Sequence, residues 1–234
     1  IALACDAILR ACIACEQITE MILTSGQLAD GNTDPTSTNA TILPEQDMVL
    51  LWFRYLDLPT FINSHAFASF KLLLQSHPHL SSAYLLRTYP IFFAHFNRLL
   101  CSENYLTKVQ AFQLLGEILM ERSNQEIMMR YVNEAENLKL AMMALRGPKA
   151  IQLAVFNVLK VFVPNPYKAD SILRILTQNK RNFLAFLDEF ERDSEDEVLV
   201  AHKQEMIQSL LELPDSVTPT VKKSNLTTEE QQQQ

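Results

Sequence analysis

Apolar residues recur along this chain at helical spacing, as at Phe112, Leu115, Ile118 and Leu119, and the helical stretches themselves recur at a fixed interval. Ala66-Phe67-Ala68-Ser69-Phe70-Lys71-Leu72, Ala111-Phe112-Gln113-Leu114-Leu115-Gly116-Glu117 and Val155-Phe156-Asn157-Val158-Leu159-Lys160-Val161 share one pattern. Their marker phenylalanines stand 45 and then 44 residues apart. A second marker agrees: Asn137-Leu138-Lys139-Leu140-Ala141-Met142 and Asn182-Phe183-Leu184-Ala185-Phe186-Leu187 are offset by 45. That period lies inside the roughly 40–47 residues of armadillo and HEAT units. One unit resolves into apolar-periodic segments at 104–121, 124–132 and 135–146, the next into 149–163, 168–178 and 179–190. An earlier unit covers about 62–101, and 1–23 makes most of another. Three segments per unit favour armadillo over HEAT. The expected fold is therefore all-α, an armadillo-like right-handed helical-repeat solenoid over 1–212 with about three helices per 44-residue unit.

The segment boundaries carry turn chemistry. Ser102 and Asn104 precede one helix, Gly147-Pro148 separates two units, and Pro164-Asn165-Pro166 stops another. Residues 25–46 are rich in Thr, Asn, Asp and Ser and are expected to form a surface insertion. Residues 213–234, polar and ending in four glutamines, are expected to be a disordered tail. The chain opens on Ile1-Ala2-Leu3-Ala4, already inside an apolar helical pattern and without a capping residue. Solenoids close their ends with polar-faced units, so further units are expected to precede it.

Composition narrows the function. Of 234 residues, 48% are apolar and only 4 are Gly, which suits long helices around an ample core. The net charge of −7, with no basic cluster longer than Lys180-Arg181, argues against nucleic acid as a partner. No apolar run is long enough for a bilayer and no signal peptide is visible, so no membrane role is expected and a cytoplasmic location is. The sequons at Asn39 and Asn225 are read as chance without a secretion signal.

No catalytic, metal or cofactor site is expected. Cys12-Ile13-Ala14-Cys15 has zinc-site spacing but no second ligand pair, and Cys5, Cys12 and Cys15 read as small core residues on one helix face. His77 and His79 flank Pro78 as turn residues. Asp30-Gly31-Asn32-Thr33-Asp34 lacks the ligand spacing and closing Glu of a calcium loop. The acidic run 193–197 reads as a solvated linker that supplies helix N-terminal charge.

In Phe67–Lys71, Ser102-Glu103-Asn104-Tyr105-Leu106-Thr107-Lys108, Leu114-Leu115-Gly116-Glu117, Glu136-Asn137-Leu138-Lys139-Leu140 and the run from Ile151 to Pro166, the chain resembles the calcium-binding protein 39 (Mo25-like) scaffold family. The likeness covers 1–212 apart from the insertion, and implies that the first third of a family member is absent. It implies an armadillo-like horseshoe whose concave face grips Sterile-20-type protein kinases or a pseudokinase adaptor. It also implies a pocket in the C-terminal units for a Trp-containing C-terminal motif of that adaptor. The matching partner-binding residues are Phe61, Tyr105, Lys108, Arg122, Lys139, Met142 and Arg146. Lys139 and Met142 lie one turn apart, so a cation and an apolar group share a face, although Met142 also fits a core position.

The chain departs from the family at four positions. Val109 replaces a basic residue, Gln125 an aromatic one, and Gln178 and Asn182 two lysines, with Lys180 and Arg181 close by. Two other functions stay open: a scaffold that anchors without activating, and an armadillo-type peptide or cargo adaptor. The second is disfavoured because such adaptors use a ladder of Asn and Trp and this chain has only Trp52.

Overall fold

The computed structural model describes the backbone of residues 2–26, 45–58, 61–192 and 194–214; the side chains of residues 2–5, 61 and 62 lie outside that description. Most of the expected insertion and nearly all of the expected tail therefore lie outside the described residues. Every regular element among those described is helical.

The helices run α1 (Ala2–Ile13), α2 (Glu16–Thr24), α3 (Met48–Leu56), α4 (Phe61–Ser76), α5 (Pro78–Leu100), α6 (Tyr105–Met120), α7 (Gln125–Val132), α8 (Ala135–Ala144), α9 (Lys149–Phe162), α10 (Asp170–Glu189) and α11 (Glu197–Leu211). A 3₁₀ turn, Arg122–Asn124, joins α6 to α7. They build two rows. In one, α1 packs on α4, α4 on α6 and α6 on α9, the last being the most extensive helix–helix contact among the described residues. In the other, α2 and α3 pack on α5, α5 on α7, and α8 on α10, which in turn carries α11. The helices α4, α6 and α9 begin at Phe61, Tyr105 and Lys149, each 44 residues after the last, so the sequence period is the spacing of one row. The marker residues Phe67, Phe112 and Phe156 are all buried, one on each of these helices. This is an all-α helical-repeat solenoid.

Local chemistry sets the helix ends as the turn residues predict. Asn104 caps α6, its side-chain oxygen accepting from the Leu106 and Thr107 N–H groups at 3.0 and 3.4 Å. Asp47 and Asp196 cap α3 and α11 in the same way. Pro148 immediately precedes α9, which stops at Phe162 ahead of Pro164.

One boundary differs from expectation. The segments 168–178 and 179–190 form one helix, α10, because no Gly or Pro separates them and Asn179 turns its amide back onto the Ile175 carbonyl at 2.8 Å. The helix α5 runs 23 residues straight through Pro90. Cys12 and Cys15 do not share a helix face, since α1 ends at Ile13 and Cys15 is the residue preceding α2; both are half-buried. The side chain of Cys5 is outside the described residues.

An aromatic cluster welds the first row to the second. Phe53 of α3 meets Phe70 of α4 and Phe92 of α5, each at 5.4 Å between ring centroids. Phe93 continues the cluster to Tyr131 of α7 at 5.0 Å. Such pairs add about 0.5–1.5 kcal/mol each beyond their area burial.

Candidate functional site: a cavity between α8 and α10

Lys139 and Met142 lie one turn apart on α8, and Arg146 follows in the turn just past the end of that helix. On α10 the positions Ile175, Asn179, Asn182, Phe183 and Phe186 recur at helical spacing and form the opposing face. The two faces enclose an open cavity of about 480 Å³ lined by all eight residues, with Met143 and Leu145 completing the wall.

The apolar base is built from the core. Phe183 is buried and stacks at 6.3 Å on Phe186, which stacks at 5.2 Å on Phe190. Met142 packs partly against the core while lining the cavity, so one side chain both supports the fold and forms part of the cavity wall. Met143 stands 67% exposed at the rim. Lys139 donates to Glu136 at 2.6 Å, but both groups are largely solvent-exposed, so the pair contributes little and can yield to a ligand carboxylate. Arg146 is exposed and makes no ion pair among the described residues. An apolar base beside two cations suits an aromatic side chain with a carboxylate nearby.

The structure brings together three of the seven residues singled out by sequence, Lys139, Met142 and Arg146. Tyr105, 48% exposed, opens α6, and Lys108 lies one turn further on. Arg122, also exposed, sits past the other end of that helix, about 24 Å away at the rise of an α-helix. Phe61 opens α4 at the position that Tyr105 holds in α6; its side chain is outside the described residues.

The departures fall in different surroundings. Val109 is buried, 9% exposed, and packs into the core. Gln125 and Gln178 are exposed and lie outside the cavity, whereas Asn182 lines it. Lys180 does not supply the missing charge: its ammonium donates to the Leu211 and Leu213 carbonyls, at 3.3 and 2.8 Å, where a cation suits the C-terminus of α11. Leu213, the first residue of the expected tail, is itself buried. Phe183 and Phe186 were visible in sequence only as repeat markers, and Asn179 gave no signal at all.

Among the described residues no three His, Cys, Asp or Glu side chains converge as a metal site. His77 faces the Ile13 carbonyl at 3.3 Å and His79 meets Glu16 at 3.0 Å, so both tie α5 to the first unit. No helix among the described residues is long and apolar enough to cross a membrane.

A family-wide sequence profile described as Mo25-like matches residues 1–214. The chain is 38% identical to the human calcium-binding protein 39-like over 216 residues, which is 91% of this chain and 58% of that protein. It is 37% identical to the conidiophore development protein hymA of Emericella nidulans over 220 residues, 91% of this chain and 57% of that one. It is 36% identical to the Mo25-like protein of Schizosaccharomyces pombe over 176 residues, 74% and 53% of the two chains. The chain thus spans a little under three-fifths of the length of these relatives. With a profile match over nearly its whole length and a helical-repeat architecture in register with its sequence period, the chain belongs to the Mo25-like family.

Proposed function

We propose that this chain is a non-catalytic cytoplasmic scaffold that binds and allosterically activates Sterile-20-type kinases or their pseudokinase adaptor. Mo25-like proteins are scaffolds, and the observation that carries the finer reading is the cavity between α8 and α10. It joins Lys139, Met142 and Arg146 over an aromatic base, as a Trp-containing motif flanked by carboxylates requires. Tyr105, Lys108, Arg122 and Phe61 would belong to a separate surface for the kinase fold.

Activation needs no catalytic group. An active kinase pairs the Glu of its C-helix with a strand Lys, and an inactive one lets that helix swing out. A stiff surface that binds only the paired arrangement shifts the population toward it. The test is twofold. An acidic Trp-containing peptide should bind the chain, Met142→Glu should abolish binding, and the chain should raise the activity of a Sterile-20-type kinase. Unchanged peptide binding in Met142→Glu overturns the cavity assignment. Kinase binding without stimulation selects the anchoring alternative, which Val109 favours because a buried valine offers no charge to a docked kinase.

A further inference from the structure

A second cavity, of about 490 Å³, lies on another part of the molecule and shares no residue with the first. Its walls come from the end of α6, from α7, from the end of α9 with the following loop, and from α11. None of the seven residues matched to the family's binding surfaces lines it.

Three features mark it as a binding groove. Met120, Met128 and Met129 contribute three thioethers, and Met120 is 53% exposed. Unbranched, polarizable side chains of this kind adapt to varied apolar ligands. Tyr167 stands 76% exposed on a braced loop: its N–H donates to the Asn165 side chain at 2.9 Å, prolines flank Asn165, and the Ala169 N–H donates to Asn133 at 3.1 Å. The loop therefore holds the backbone from which an exposed aromatic ring projects, which lowers the entropic cost of ordering it on binding. Lys160 reaches the groove from α9, half-buried and without a hydrogen bond or ion pair among the described residues. Loss of water alone depresses its pKa, and no carboxylate, Glu205 of the groove included, offsets that loss. An incoming carboxylate would supply the missing partner.

We propose that this groove binds a short linear segment of a partner protein that presents a bulky apolar side chain beside a carboxylate, the apolar group among Met120, Met128 and Met129 and the carboxylate at Lys160. A single cation beside Glu205, on a chain of net charge −7, does not suit a nucleic acid or an anionic membrane.

A random dodecapeptide library displayed on phage and panned against the whole chain tests this. Enriched peptides should combine Leu, Phe or Met with a neighbouring Asp or Glu. In fluorescence anisotropy, a synthetic consensus peptide should lose about tenfold in affinity on Lys160→Met or Tyr167→Ala and keep it on Lys160→Arg or Met142→Glu. Both loss variants should fold, since one removes a desolvated charge and the other an exposed side chain. Several outcomes overturn the proposal: no enrichment, enrichment without an acidic residue, insensitivity to Lys160→Met, or loss on Met142→Glu. Concentration-dependent dimerisation abolished by Tyr167→Ala also overturns it, by assigning the groove to a second copy of this chain. Because Met142→Glu empties only the first cavity, failure here is distinguishable from failure of the kinase-scaffold reading.

Discussion

Two buried or half-buried carboxylates have opposite relations to pH. Asp47 is 2% exposed, caps α3 and accepts from the Tyr84 hydroxyl at 3.0 Å. Burial pushes its carboxyl above the usual range, against the opposing pull of the Leu50 N–H, the Tyr84 hydroxyl, the Val49 N–H and Arg87. Its stabilising contribution is therefore full below about pH 4 and is lost as pH rises through the folded value. Asp47→Asn keeps a capping oxygen and removes the charge, so it should gain on the parent in urea unfolding as pH rises from about 4 to about 7. Asp47→Ala should cost about 1–2 kcal/mol through the lost cap. Gly26 belongs to the same site, since a Cβ there would stand 2.7 Å from the Asp47 Cβ. Asp6 behaves in the opposite sense. The Ser69 hydroxyl, with Arg10 and His65, holds its carboxyl below the usual range despite desolvation, joining α1 to α4. That contribution is present above about pH 4 and lost as pH falls through the folded value. Asp6→Asn should cost about 1 kcal/mol at neutral pH, with the gap to the parent closing in acid.

Among the helices, α5 and α10 show how far propensity yields to packing. Pro90 supplies no N–H to the turn before it, yet α5 continues because Tyr89, Phe92, Phe93 and Phe96 are all buried. In the next unit the corresponding stretch breaks between α7 and α8. Pro90 itself is exposed, so Pro90→Ala should restore a helix bond without disturbing the core. A gain of about 1–3 kcal/mol, read as a higher denaturant midpoint with an unchanged slope, is expected. For the cavity element, Asn182→Lys restores a cation on α10 and should tighten binding of an acidic Trp-containing peptide several-fold, the gain shrinking at high salt.

Along the described residues the repeat is held by buried and half-buried side chains that link one unit to the next. The Asn63 amide donates to the Leu56 carbonyl at 2.5 Å and to the Thr107 hydroxyl at 2.9 Å. Asn63 and Thr107 occupy the same position of successive stacked helices, 44 residues apart. Ser102 bonds Asp57, 45 residues earlier, and Gln152 returns to the Leu145 carbonyl at 3.0 Å. Units of a solenoid touch only their neighbours, so a defect should stay local. Asn63→Leu should cost about 1–3 kcal/mol and raise amide exchange in α3, α4 and the start of α6, while α9 to α11 keep their protection. Uniform loss of protection along the chain would show instead that the rows unfold as one body.

The period, the helical class and the turn positions were legible because each rests on local chemistry. The spacing of Phe67, Phe112 and Phe156 records burial on one helix face, and Asn104 or Pro148 marks an end by its own bonding capacity. The likeness in Lys139, Met142 and Arg146 could be seen one helix at a time. Their union with Phe183 and Phe186 could not, because it depends on how α8 sits against α10, some 40 residues away in the chain. Equivalent positions in the repeat also diverged: Asn137 is buried on the Tyr131 carbonyl, whereas Asn182 faces the cavity. The sequence alone therefore determined that helices stack at a fixed interval. Only the tertiary structure decided which side chains the stacking buries and which it leaves facing an open cleft, because that follows from contacts between helices and not from spacing within them.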